Sequence, residues 1–342
     1  MKAVMLHKPE DLEVVRLPDP HPLQGEVLLK IEACSVCGSD LEGFHGIHPK
    51  MTYPRVMGHE YAGTVLEAGP GAPGALVGKR VVSVGNVACG KCAPCSDGRP
   101  DACVQPLSPG FTAHGAYAEY LAVPAASCVT LPDELTFAEA AIAQPFSIAY
   151  HACVRACVTE GDTVMVQGCG PIGIGVMMHA KARGAMVFST DIVDYRKSLA
   201  QKLGADYVFS GATDNLGDKI AEITKGHMMD KVIECVGSDQ DSTLAQAVRC
   251  VKTGGLVVVV GSFARDCATI PIIDFKFSEK GIIGSQGMPE GYGPTIDLLI
   301  KKKIHAKPLI THTVLLEGVG KAFELLDAKE DDIVKALVMP AK

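Results

Sequence analysis

The stretch "VMVQGCGPIGIGVMM", Val164 to Met178, sets Gly168, Gly170 and Gly173 directly after an apolar run and at the opening of a helix-forming segment. That strand–turn–helix context gives a G-x-G-x-x-G triplet its meaning. The first glycine makes the tight turn, the second lets a pyrophosphate approach the backbone, and the third lets helix pack on strand. Pro171 and Ile172 fill the gap between the last two glycines, at the helix N-terminus, where free N–H groups favour phosphate. Asp191 stands eighteen residues past Gly173, at the end of the next expected strand. A carboxylate there accepts from an adenosine ribose and repels a 2′-phosphate, so the pattern favours NAD over NADP. Arg196, close behind it, is the one residue that would accommodate the phosphate.

From Asp162 outward the texture alternates. "TVMVQG", "MVFSTD", "KVIECVG", "GLVVVVG" and "KGIIGSQG" read as strands, and "GPIGIGVMMHAKARG" and "RKSLAQKLGA" as helices. Alternation of this kind predicts an α/β, doubly wound parallel sheet. On the N-terminal side, "EVLLKIEACSVCGSD" and "YAGTVLEAG" read as β-rich. "TFAEAAIAQPFSIAYHACVRA" then reads as helical, with Thr136 as its N-cap. Beyond about residue 285 the alternation stops: "PTIDLLIKKKI" and "LLEGVGKAFELLDA" are amphipathic helices, and "DIVKALVMP" a final strand.

The 342 residues, 47% hydrophobic and 21% charged, suffice for two domains with sizeable cores. No eighteen-residue apolar run predicts a membrane span, and the charged, proline-bearing N-terminus does not read as a signal peptide, so a cytoplasmic protein is expected. A net charge of −7 offers no footprint for nucleic acid. Thirteen cysteines in a reducing compartment favour metal or burial over disulfides. Four of them, Cys89, Cys92, Cys95 and Cys103, lie within "CGKCAPCSDGRPDAC". A thiolate quartet matches tetrahedral zinc and leaves no position for substrate, so it predicts a structural staple for a loop at about 86–106.

A second set is more open. "CSVCGSD" carries Cys37, Ser39 and Asp40, and "GHEYAG" carries His59 beside Glu60. Cysteine, histidine and carboxylate make a zinc set that can keep one position free, as catalysis requires. Each residue alone also fits a buried thiol, a core histidine or a solvated charge.

Cys-Gly-Ser-Asp, Gly-His-Glu, the quartet and the glycine turn, in that order, resemble the zinc-dependent medium-chain dehydrogenase/reductase family across essentially the whole chain. "GAYAEY", "IECVG" and "GVGKAFELLD" extend the likeness, which is strongest toward the polyol, sugar-acid and threonine dehydrogenase branch. The resemblance implies a GroES-like catalytic domain over 1–143 and 285–342, with a Rossmann NAD-binding domain over 144–284. It implies two Zn²⁺ per chain, Cys37, His59 and Glu60 as catalytic ligands, Ser39 as proton acceptor, and Asp40 behind His59. It also implies a homodimer or homotetramer acting on a small hydroxyl or carbonyl substrate, with zinc as Lewis acid. Two positions depart from the family pattern. Gln144 stands before Pro145 where relatives carry glutamate, and Glu42 stands five residues after Cys37 where many carry a relaying histidine, for which His45 is the nearest substitute. A zinc-free quinone or enone reductase and a non-catalytic module of the same fold are the alternative readings.

Overall fold

The computed structural model describes all residues except 213–214, 238–240, 263–266, 288 and 341–342. The chain divides into two compact units. One holds Met1–Gln144, Tyr292–Ile300 and Ala306–Lys342, and the other Pro145–Gly291 and Lys301–His305.

The first unit is β-rich. It begins with β1 (Lys2–Lys8), β2 (Asp11–Arg16), β3 (Glu26–Ser35), β4 (Arg55–Val56), β5 (Glu60–Ala68), β6 (Arg80–Ser83), β7 (Tyr120–Pro124) and β8 (Cys128–Thr130). β1 pairs antiparallel with β2 and β4. β3 alternates buried and half-buried positions along its length, and it pairs antiparallel with both β5 and β7. Leu6, Leu29, Ile31, Val65 and Tyr117 fill the core beneath these strands.

The second unit carries β9 (Thr163–Gln167), β10 (Met186–Asp191), β11 (Tyr207–Ser210), β12 (Met229–Glu234), β13 (Val251–Val259) and β14 (Gly281–Gly284). They form one sheet in the order β11-β10-β9-β12-β13-β14, parallel throughout, as a Rossmann fold requires. Met165, Phe188, Val232 and Val257 project from four of its strands into a single core with Ile220 and Leu244. The strand order reverses between β9 and β12, and the expected glycine turn follows β9 at that switch point.

The chain then returns to the first unit with β15 (Ile310–Val314) and β16 (Lys335–Val338), and β16 pairs antiparallel with β3. Thr136 caps its helix as expected: its hydroxyl accepts from Glu139 N–H at 3.2 Å. The helical stretch it opens is interrupted, however, running Phe137–Ala141 and then Ala143–Arg155. Pro145 has no N–H to give the Ala141 carbonyl, so a continuous helix would lose a bond at that point. Among the described residues, no helix is long and apolar enough to cross a membrane.

Candidate active site

Strand register assembles the first half of the site. β3 and β5 pair Ser35 with Glu60 and Cys34 with Tyr61. Cys37 lies two residues beyond the end of β3, at the N-cap of the helix Gly38–Phe44, and His59 immediately precedes β5. Two sequence-distant motifs therefore meet at one sheet corner. Cys37, His59 and Glu60 each direct a ligand atom to within 4.8 Å of the others. Gly58 makes the approach to His59 possible: its φ is +92°, and a Cβ there would lie 2.7 Å from Tyr117 and 2.9 Å from the Cys34 sulfur.

Asp40 braces His59 from behind. Its Oδ2 accepts from Cys37 N–H at 2.9 Å and from the Tyr117 hydroxyl at 2.8 Å. Its Oδ1 stands 3.4 Å from His59 Nδ1, in ion-pair range without hydrogen-bond alignment. Burial pushes the Asp40 carboxyl up, but His59, the Cys37 N–H and Tyr117 together carry it below its ordinary value. With Nδ1 turned to Asp40, His59 interacts with Cys37 on the side of the ligand cluster, and a carboxylate behind the ring is the setting a ligating imidazole uses.

Glu60 is wholly buried, and its two oxygens differ. Oε2 accepts from the Ser35 hydroxyl and from the Lys335 ammonium. Oε1 is buried with no hydrogen-bond partner among the described residues. A buried carboxylate oxygen without a donor is costly unless a cation completes it. Together with a thiol and an imidazole it forms the S, N, O set that suits zinc. Lys335, only 2% exposed, also donates to the Val36 carbonyl at 2.9 Å. Burial pulls its pKa down, yet the Glu60 charge leaves it raised overall. No sequence motif singled out Lys335. The available signal was a lone lysine inside "IVKALVMP", a strand whose four residues are all buried.

Ser39 Oγ donates to the Cys37 sulfur at 3.1 Å and is half-buried. Gln144 is half-buried beside Gly85, where a Cβ would meet its Nε2 at 3.3 Å and the His59 carbonyl at 3.5 Å. Glu42 is half-buried, and burial raises its carboxyl pKa. His45 is the nearest substitute for the relaying histidine. Its Nδ1 lies 3.5 Å from Glu10 and its Nε2 3.2 Å from Asp327, so both ring nitrogens are engaged elsewhere.

Cys89, Cys92, Cys95 and Cys103 converge separately, all four sulfurs within 4.8 Å of one another. Short helical turns at Ala93–Ser96 and Pro100–Ala102 carry the intervening chain, and Cys89 N–H donates to the Cys103 sulfur at 3.3 Å.

In the second unit the three glycines lie in the turn after β9 and the helix that follows. Gly168 has φ +87° and donates to the Thr190 carbonyl at 2.7 Å. A Cβ on Gly173 would fall 1.8 Å from the Gly168 carbonyl oxygen. A Cβ on Gly170 would meet nothing within 4 Å, so the space over the N-terminus of the helix Pro171–Ala182 is open. Pro171 and Ile172 form its first turn. Asp191 closes β10, with Oδ2 accepting from Cys169 N–H at 2.6 Å and Oδ1 from Val193 N–H at 2.8 Å. Each oxygen keeps a lone pair for a ribose hydroxyl. Arg196 is half-buried in the helix Asp194–Lys202.

Two family models match the chain in succession. Residues 23–133 match the family described as the alcohol dehydrogenase GroES-like domain, and residues 171–301 that described as the zinc-binding dehydrogenase. The chain is 34% identical over 345 residues to sorbitol dehydrogenase of Bombyx mori, covering 98% of this chain and 97% of that protein. It is 33% identical over 340 residues to L-threonine 3-dehydrogenase of Pyrococcus furiosus, covering 96% of each. The structure of an Escherichia coli alcohol dehydrogenase, rspB, complexed with NADH superposes with a TM-score of 0.92 at 32% identity over 99% of both chains. With likeness over nearly the full length of these proteins, and with both metal-ligand clusters formed, the chain belongs to the zinc-dependent medium-chain dehydrogenase/reductase family.

Proposed function

We propose that this protein is a zinc- and NAD-dependent dehydrogenase that interconverts a hydroxyl and a carbonyl on a polyol, sugar acid or amino alcohol. The observation that carries the reading is the Cys37, His59 and Glu60 donor set, gathered within 4.8 Å around a buried carboxylate oxygen that has no donor among the described residues. The same set favours this reading over a zinc-free reductase. Zinc there supplies the Lewis acidity that makes a substrate hydroxyl easier to deprotonate, and NAD supplies the hydride acceptor. Ser39, beside Cys37, receives the substrate proton. Asp40 holds the His59 ring, and Lys335 holds Glu60 through one oxygen so that the other stays available. Gln144 accepts or donates without charge at the rim, leaving the site one negative charge short of relatives with glutamate.

The catalytic role falls to the expected 1–143 and 285–342, apart from 285–291 and 301–305, which group with the second unit, and the coenzyme role to 144–284. Gly168, Gly170, Pro171, Ile172 and Gly173 cradle the pyrophosphate, and Asp191 takes the ribose and disfavours a 2′-phosphate. The quartet holds a second, structural zinc. Free thiols gathered for metal suit the reducing cytoplasm. A homodimer or homotetramer is also part of this proposal. β14 pairs only with β13 among the described strands, and the neighbouring helix Ile272–Phe277 leaves Ile273 74% and Phe277 77% exposed. An open strand edge beside apolar side chains favours a second copy.

The test is NADH formation by the zinc-loaded protein across polyols, sugar acids and amino alcohols. Activity is expected with at least one class, and Glu60→Ala should lose most of it together with one zinc per chain. Absence of turnover on all three classes, with both metals bound, would refute the reading. Asp191→Ala should narrow the preference for NAD, whereas a wild type that prefers NADP would contradict the coenzyme assignment.

A further inference from the structure

Three aromatic rings stand in a row beside the metal cluster. Phe111 lies 4.8 Å from the His59 ring, tilted at 43°, and His48 stacks on Phe111 at 4.3 Å and 18°. The row is built into the backbone. Gly110, at φ +84°, lies against Gly58, where a Cβ would come within 3.1 Å of three backbone atoms. The Phe111 carbonyl accepts from Thr52 twice, from its N–H at 3.3 Å and its hydroxyl at 3.0 Å. The loop before Thr52 is tied to the helix that carries Ser39: Ile47 N–H and His48 N–H both donate to the Glu42 carbonyl, at 2.9 and 3.1 Å. His48 is therefore held from two sides.

Its ring also has a defined donor. Lys50 N–H donates to His48 Nδ1 at 3.3 Å, which places the ring proton of the neutral form on Nε2. Burial lowers the His48 pKa, so the neutral form prevails near pH 7. Phe111 is 8% exposed, so it holds the two histidines apart and shows only an edge between them.

We infer that His48 is a specificity-determining residue, whose Nε2–H binds a distal hydroxyl of an extended polyol or sugar acid that passes the exposed edge of Phe111. The inference rests on the proposed hydroxyl oxidation and narrows its substrate class. Ring spacings of 4.8 and 4.3 Å separate His59 from His48. A six-carbon chain with a hydroxyl at each end is long enough for that interval, and a two- or three-carbon alcohol is not. No proton transfer is assigned to His48. It orients substrate, and Ser39 keeps the chemistry.

The experiment compares wild type with His48→Phe and His48→Gln on a hexitol and on 2-propanol. His48→Phe keeps the stacking on Phe111 and removes the donor, while His48→Gln keeps an N–H. For His48→Phe the hexitol KM should rise about tenfold, with kcat within about twofold and 2-propanol turnover unchanged. His48→Gln should recover part of that loss. Calorimetric binding of the hexitol to zinc-loaded protein saturated with NADH reads the same contact without turnover. Hexitol binding that weakens about tenfold in His48→Phe supports the contact even if no substrate is oxidised, in which case only the proposed reaction fails. Oxidation of hexitol with a KM untouched by His48→Phe overturns the contact and leaves the reaction standing. Equal losses on both alcohols, or no hexitol binding to wild type, also overturn it.

Discussion

Replacing Lys335 with methionine tests whether Glu60 is poised for metal. The lysine is 2% exposed and reaches Glu60 Oε2 and the Val36 carbonyl, so methionine fills similar space and removes the only cation held against that carboxylate in the described structure. Removing one member of a buried ion pair costs about 3–5 kcal/mol, because the other charge is left uncompensated. That figure applies to protein with the Cys37 cluster stripped of metal. With zinc bound, a dication beside Oε1 offsets part of the lost charge, and a cost of about 2 kcal/mol is expected. The two costs close a thermodynamic cycle. A difference of about 2 kcal/mol means that zinc at this cluster binds about thirtyfold tighter in Lys335→Met than in wild type. Denaturant unfolding of stripped and loaded protein gives one side, and competition against a zinc chelator gives the other. The cysteine quartet serves as an internal reference, since its affinity should not change. Equal destabilisation of both forms with unchanged zinc affinity would show that Glu60 does not face the metal.

Three further outcomes follow from the geometry. Gly170→Ala should fold and melt like wild type yet bind NADH at least about tenfold more weakly, whereas Gly173→Ala, with its Cβ 1.8 Å from the Gly168 oxygen, should lose stability as well; an equal effect of both on melting would contradict the assignment. Burial pushes the Glu234 carboxyl from 4.5 up to about 7, so the folded state holds a proton that the unfolded state releases. Stability from this group is present below pH 4.5 and lost as pH rises toward 7, by about 3 kcal/mol, and Glu234→Gln should become progressively more stable than wild type over that window, while parallel pH profiles would refute it. Cys95→Ser should lower the melting temperature and release one zinc per chain, and retention of both zinc ions would refute the staple.

Local patterns were readable in the sequence. The glycine turn, the strand–helix alternation and the quartet each sit within a few residues of one another, where spacing alone constrains geometry. The Cys37 and His59 motifs were readable as chemistry, but the β3–β5 register that joins them was not. Longer-range partners were hidden for the same reason: Lys335 meets Glu60 across 275 positions, and Tyr117 meets Asp40 across 77. His45 shows the converse hazard. Its nearness in sequence to Cys37 made it a candidate relay, and Asp327, 282 positions away, engages it instead. His48 and Phe111 carried no spacing signal, because their stacking depends on the loop hydrogen bonds to Glu42 and Thr52.

The position of β16 bears on how the protein is made. Glu60 leaves the ribosome 275 residues before its counter-ion Lys335. Until the entire nucleotide-binding unit has been synthesised, the earlier unit carries a carboxylate at a site it cannot yet bury without penalty. The domain begun first is thus completed last, and the second can fold while the first waits. A premature stop between the end of β14 and Lys335 would leave the glycine turn intact and the metal corner unfinished.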